Sequence, residues 1–264
     1  MNMKYIRDYI QQVLADGKYF FSKEEVLSSL SLNSEQFRFQ AYRLLNKKVI
    51  RHLTRDFFMI IPPEYQHLGG VPPHWIIDPL MEHLGREYYI ALLSAASMYG
   101  ATNQQPMTFQ IITNKTRRSI ELERGLIKFY VFNDCSLARK EQLTVPTGYV
   151  QISCKEQTVL DLVRFYKECG YLSNVSAVIK DLAEMCDESI FENVIHLEKN
   201  NSVLQRLGFI CEQVGYENLA TLVEQEILTR SVQFIRLSPD SPLKEGNRNI
   251  RFKLIINDSL EIEE

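Results

Sequence analysis

No apolar run in this 264-residue chain is long enough to cross a membrane: the longest, Tyr88 to Gly100, has about 13 residues against the roughly 20 a spanning helix needs. The opening Met1-Asn2-Met3-Lys4 has no signal-peptide pattern, so a cytoplasmic location is expected. Cysteine is sparse. The five, Cys135, Cys154, Cys169, Cys186 and Cys211, are odd in number and none forms a C-x-x-C pair, which argues against a disulfide framework and a zinc site and for buried reduced thiols. The signatures G-x-G-x-x-G, G-x-x-x-x-G-K-[ST], H-E-x-x-H and G-x-S-x-G are all missing. His67, His74 and His83 are scattered, and His196 stands alone between apolar positions, so no metal, no cofactor and no catalytic residues are expected. Glu121, Glu123 and Lys128 lack the spacing of a metal-dependent nuclease core, and an enzymatic role is not expected.

What is present is an ordinary globular composition, 45% hydrophobic and 24% charged, which excludes a disordered chain or a repetitive fibre. At this length two compact domains are the expectation. The net charge of −3 is unevenly spread. Residues 1–64 carry 10 Lys and Arg against 7 Asp and Glu, residues 65–152 carry 8 against 7, and residues 153–264 carry 12 against 19. A basic head on an acidic tail is the arrangement expected if only the head meets a polyanion.

In that head, Tyr5, Ile6, Tyr9, Ile10, Val13 and Leu14 recur at helical steps up to Asp16-Gly17. Ser22-Lys23-Glu24-Glu25 and Asn33-Ser34-Glu35-Gln36 are capping boxes, predicting a second helix to Leu30 and a third to about Lys48. Two β-rich runs follow, 49–53 and 57–61, separated by Thr54-Arg55-Asp56 and stopped by Pro62-Pro63. Three helices and a hairpin in about 60 residues is the layout of a winged helix-turn-helix.

The third helix should bury Phe37, Ala41, Leu44 and Leu45. Gln36, Gln40, Arg43 and Lys47 then fall on another stripe, flanked by Arg38, Phe39 and Tyr42. Gln can pair with adenine edges and Arg with guanine, whereas Lys47, Lys48 and Arg51 suit phosphate oxygens. His52, Thr54 and Arg55 at the wing turn would reach the backbone or minor groove, and Ser34 opens the same helix. The expected DNA-binding set is therefore Ser34, Gln36, Arg38, Phe39, Gln40, Arg43, Lys47, Lys48, Arg51, His52, Thr54 and Arg55. Because the charge excess is modest, a dimer or cooperative occupancy on DNA is expected. Lys115, Arg117, Arg118, Arg124 and Lys128 form a candidate second nucleic-acid or phosphate contact.

Gly69-Gly70-Val71-Pro72-Pro73 marks a domain boundary, giving 1–68 and 74–264. Beyond it, 78–84 and 87–99 read as helices, and 107–114, 119–122, 126–133 and 147–152 as strands. Ser153-Cys154-Lys155-Glu156 reads as another capping box, opening a helical region 154–233 with breaks at Gly170, Asn174, Asp187, Asn200-Asn201 and Gly215. A final strand over 248–257 would return to the sheet-rich part, 107–152. The fold class is α+β: an N-terminal winged helix-turn-helix, then a mixed α/β domain with a helical latter half.

Six stretches stand out in order along the chain: 33–62, Tyr88-Tyr89-Ile90-Ala91-Leu92-Leu93-Ser94-Ala95-Ala96, Gly100-Ala101, Gln104-Gln105-Pro106 with Phe109-Gln110-Ile111-Ile112, Lys155-Glu156-Gln157-Thr158-Val159-Leu160-Asp161-Leu162-Val163, and Leu204-Gln205-Arg206-Leu207-Gly208-Phe209. Together they resemble the AbiEi antitoxin family, the regulators of bacterial abortive-infection type IV toxin-antitoxin systems. The resemblance implies a repressor that binds inverted repeats in its own promoter, double-stranded DNA being one partner. It also implies an antitoxin acting against a nucleotidyltransferase toxin, in phage defence, without a stable complex between the two. A glycine frequent in the family before the first wing strand is here replaced by Lys48-Val49. An alternative from another class is a one-component regulator whose second domain binds a small molecule beside the apolar helix expected over 87–99.

Overall fold

A computed structural model describes residues 5–102, 107–243 and 245–261. Its contacts divide the chain into two compact units: residues 1–89, 107–135 and 142–151 form unit 1, and residues 90–106, 136–141 and 152–264 form unit 2. The Gly69–Pro73 stretch lies within unit 1, so the sheet-rich segments 107–135 and 142–151 group with the head of the chain.

Unit 1 begins with α1 (Ile6–Ala15), β1 (Phe20–Ser22), α2 (Lys23–Leu30), α3 (Ser34–Asn46), β2 (Ile50–His52) and β3 (Phe57–Ile60). Both expected capping boxes are formed: Ser22 with Glu25 starts α2, and Asn33 with Gln36 starts α3. Ile6, Ile10 and Val13 meet Val26, Leu30, Phe37 and Ala41 in one core, closed by Phe21, Ile50, Phe58 and Ile60 from the strands. The hairpin expectation is incomplete in one respect. The strands form an antiparallel sheet of order β1-β3-β2, in which Phe20–Ser22 pairs with Met59–Phe57. Lys48, where the family pattern often has glycine, adopts φ +52, the left-handed conformation that glycine takes most readily.

After short 3-10 turns at Pro63–Leu68 and Pro73–Trp75 come α4 (Ile77–His83) and then β4 (Tyr88–Ile90). The single helix expected over 87–99 is thus corrected to a strand followed by α5 (Leu92–Met98). Tyr88, Tyr89 and Ile90 are all buried, and a run with no polar face carries no periodicity to separate strand from helix. The break falls at Leu92, whose φ is +56. A six-stranded sheet has the order β6-β7-β5-β4-β9-β8, from β5 (Thr108–Thr113), β6 (Ile120–Leu122), β7 (Gly125–Val131), β8 (Lys140–Val145) and β9 (Gly148–Ser153). β5 and β7 are parallel, and β6 returns antiparallel to β7.

Unit 2 is mainly helical: α5, then α6 (Lys155–Arg164), α7 (Tyr171–Ala183), α8 (Glu188–Leu197), α9 (Asn201–Gln213) and α10 (Glu217–Leu228). The capping box expected at Ser153 is not formed. Cys154 is the N-cap, the Ser153 hydroxyl meets Thr158 at 2.7 Å, and Glu156 accepts from the Asp187 amide at 2.8 Å. Asn174 lies inside α7, its side chain donating to the Cys169 carbonyl at 2.7 Å, so it does not break the helix. The last expected strand is also corrected. β11 (Asn247–Asn249) and β12 (Leu254–Ile256) pair with each other and with β10 (Ile235–Arg236) in a separate small sheet. Lys253, at φ +53, turns the chain between them.

Candidate nucleic-acid interface

α3 is anchored on one face by Phe37 and Ala41, each 4% exposed, and pinned at its start by the reciprocal bonds between Asn33 and Gln36 at 2.8 and 3.0 Å. Gln36 is exposed, but its side-chain carbonyl accepts the Asn33 amide. Gln40 is half-buried, and its carbonyl accepts the Ile6 amide at 2.8 Å. No side chain of the N-cap Tyr5 serves α1, so Gln40 takes up one of the donors that a helix start leaves without an intrahelical partner. Of the expected stripe, Arg43 and Lys47 are exposed, while the two glutamines each have one polar atom committed inside the protein.

Two large aromatics stand exposed on α3. Phe39 is 61% and Tyr42 63% exposed, three residues apart and thus on one face. They stand between two hollows. The larger groove, about 580 Å³, runs between α3 and the β2–β3 turn, with Phe37, Ala41 and Phe58 in its lining and Lys23, Arg38 and Arg55 as its cations. Ser34, Tyr42 and His52 also line it. The second hollow, about 550 Å³, is lined by Gln36, Phe39, Gln40 and Arg43. Lys23 and Tyr42 were not in the expected interface. Tyr42 was recoverable from its i, i+4 spacing to Arg38, whereas Lys23 reaches the groove only because β1 pairs with β3.

The β2–β3 turn is compact. Leu53 is buried, and its amide and that of Thr54 both donate to the Phe57 carbonyl, at 3.0 and 3.2 Å. The His52 ring lies 4.5 Å from that of Phe58, with Nδ1 3.3 Å from the Thr54 carbonyl. Thr54 is half-buried, and Arg55 is exposed at the tip. Asp56 lies 4.0 Å from Lys23, lending the turn a carboxylate. Arg51 is half-buried and donates to the Gly69 carbonyl at 3.4 Å, and Lys48 pairs with Glu123 at 2.6 Å. The Lys48 ammonium, bonded to Glu123, holds that carboxyl below its ordinary pKa.

The second basic cluster divides. Arg117 is half-buried over the Phe129 ring and donates to the Leu53 carbonyl at 3.0 Å, tying the turn to the β5–β6 connection. Lys128 lies over the Tyr130 ring. Lys115, Arg118 and Arg124 are exposed. By compact unit, unit 1 carries 16 Lys and Arg against 13 Asp and Glu, and unit 2 carries 14 against 20.

Elsewhere the side chains are used for packing. Cys135, Cys154, Cys169 and Cys211 are buried and Cys186 is half-buried, all as free thiols, and burial pushes the last four of the chain up to about 12. Among the described residues no group of three or more His, Cys, Asp and Glu is placed to hold a metal ion, and no helix is long and apolar enough to cross a membrane. The helix beside which the alternative reading placed a ligand pocket is short, with Leu92, Ser94, Ala95 and Ala96 packed in the core.

The chain is similar to a solved structure, the RV2827C protein from Mycobacterium tuberculosis, at 14% identity and a TM-score of 0.66, over 94% of this chain and 89% of that one. That likeness supports an α+β fold shared by the two. An antigenic nucleotidyltransferase-like protein from Paracoccidioides brasiliensis overlaps at 10% identity and a TM-score of 0.31, over 60% of this chain and 86% of that one, too low to bear on fold or function. No curated protein matches the chain. Residues 89–213 match the model of the AbiEi antitoxin C-terminal domain. The family resemblance is therefore borne out over those residues; its segment Gln104-Gln105-Pro106 lies outside the described residues.

Proposed function

We propose that this protein is a cytoplasmic type IV antitoxin that represses its own operon, with residues 5–62 acting as a winged helix-turn-helix on double-stranded DNA. The observation that carries the DNA-binding half is the groove between α3 and the β2–β3 turn, rimmed by Lys23, Arg38 and Arg55, in the unit that holds the chain's positive excess. α3 enters the major groove with Arg43 at base edges, while Arg55 at the wing and Lys47 meet phosphates. Lys115, Arg118 and Arg124 add a second phosphate contact, and inverted repeats bring two copies together on the promoter. The matched domain supports the antitoxin half: the protein counteracts a nucleotidyltransferase toxin without catalysis of its own and without a stable complex between the two.

Both halves have direct tests. Arg55→Ala is expected to weaken binding to the upstream promoter fragment and to unrelated DNA alike, lowering the slope of log affinity against log salt by about one. A wild-type protein that binds the promoter no better than unrelated DNA overturns the repressor reading. Co-expression with the neighbouring toxin should restore growth without co-elution of the two proteins. Failure of rescue overturns the antitoxin reading.

A further inference from the structure

Half of the expected base-reading stripe of α3 is engaged in bonds to the protein's own backbone, and two large aromatics stand exposed beside it. Gln40 gives its carbonyl to the Ile6 amide and Gln36 gives its carbonyl to the Asn33 amide. Phe39 and Tyr42 project instead, each more than 60% exposed, as a ridge between the two hollows. Large exposed aromatics are costly on a surface that meets only water, and a pair at i, i+3 on one helix face marks a contact surface. Its flanks indicate the partner. Arg38 and Arg55 line the hollow on the Tyr42 side and Arg43 the hollow on the Phe39 side, and none of the three forms an ion pair among the described residues. Glu35 lines both hollows and Asp56 the first, so the four cations Lys23, Arg38, Arg43 and Arg55 outnumber the acids without standing alone. An apolar crest between cations complements the DNA major groove, where the thymine C5-methyl is the one apolar feature a base pair presents, between two lines of phosphates.

We propose that Phe39 and Tyr42 are specificity-determining residues that read thymine methyl groups in the major groove, the arginines beside them holding the register on phosphates and purine edges. This rests on the DNA-binding reading above and assigns to apolar contact the discrimination expected of Gln40. A DNA backbone alone would not select an aromatic ridge, because phosphate contacts need only cations.

The test uses the full-length protein and its upstream promoter fragment, amplified once with dTTP and once with dUTP, so that the second DNA differs only in lacking the thymine methyls. Wild-type protein is expected to bind the thymine fragment about tenfold more tightly than the uracil fragment. Phe39→Ala with Tyr42→Ala should bind both fragments equally and at the weaker level, while keeping the wild-type affinity for unrelated DNA. Phe39→Leu, which keeps an apolar tip, should retain part of the preference. Both side chains are exposed, and an unchanged thermal melting curve separates lost contact from lost fold. If wild type binds the promoter selectively but does not distinguish the two fragments, or if the double variant still distinguishes them, the thymine assignment is overturned and repression stands. The ridge then belongs to a protein partner. If wild type shows no preference for the promoter over unrelated DNA, the repressor reading falls first and this assignment with it.

Discussion

In unit 2, Arg164 lies between the buried carboxylates of Asp161 and Glu198, and Arg206, 9% exposed, donates to the carbonyls of Leu237, Ser202 and Arg236 at 2.7–3.1 Å. Arg230 is paired with Glu226 at 2.6 Å, and Arg251 meets Glu212, Glu217 and Glu224 at 2.7–2.9 Å. In unit 1, Arg38, Arg43 and Arg55 are exposed around α3 and the β2–β3 turn, with no ion pair among the described residues. The same side chain thus has two uses. Where carboxylates or carbonyls surround it, its charge is matched within the fold and lends nothing to a polyanion; where they do not, its field extends into solvent and steers an anionic partner.

Removing Arg164 should have the largest effect. Arg164→Ala would leave Asp161 and Glu198 buried without their cation, costing about 3–5 kcal/mol of stability in chemical denaturation followed by circular dichroism. Promoter affinity of the folded variant should be unchanged. A loss below about 1 kcal/mol would break the contrast, since the carboxylates would then be finding water. Next in size is an opposed pair on α3. Arg43→Ala should cost about 1–3 kcal/mol of promoter affinity with an unchanged melting point. Gln40→Ala should do the reverse, losing stability of the order of a helix cap, about 0.5–2 kcal/mol, with near-normal DNA affinity. Comparable affinity losses in both variants would return Gln40 to the interface. The smallest effect belongs to Glu123→Gln, which releases Lys48. Binding to any DNA should tighten slightly and depend more steeply on salt. Because the folded carboxyl has a lowered pKa, its pairing with Lys48 is present above the ordinary carboxylate range and is lost as pH falls through the lowered value. The wild-type and variant affinities should therefore converge in acid.

Legibility followed the range of the interaction. The capping boxes at Ser22 and Asn33 are local, and both formed as read. β1 escaped notice because three residues cannot show alternation and because Ser22 also caps α2. β8, exposed along Glu141 to Thr144, lacks the apolar face that would have marked it. At Ser153 the pattern was right and the geometry was not, since Thr158 and the Ile90 carbonyl take the hydroxyl. The exposure of Arg38, Arg43, Lys47 and Arg55 could be read directly, because exposure is the usual state of Lys and Arg. The commitment of Gln40 could not: its partner is a backbone amide 34 positions earlier, and a main-chain donor has no side chain to announce it.

The Leu204–Phe209 signature also bears on where this protein can be cut. Gln205 donates to the carbonyls of Gln233, Phe252 and Lys253 at 2.9–3.1 Å, and Arg206 reaches Leu237 and Arg236. A methyl group on Gly208 would come within 2.3 Å of the Phe252 ring. The matched family segment stops at residue 213, yet every one of these acceptors lies beyond it. A fragment trimmed at that limit would leave the Gln205 amide and two of the Arg206 nitrogens without these acceptors, keeping only the Ser202 carbonyl for the guanidinium, and would bare the floor on which Phe252 rests, so low solubility of such a fragment is expected for reasons unrelated to its activity.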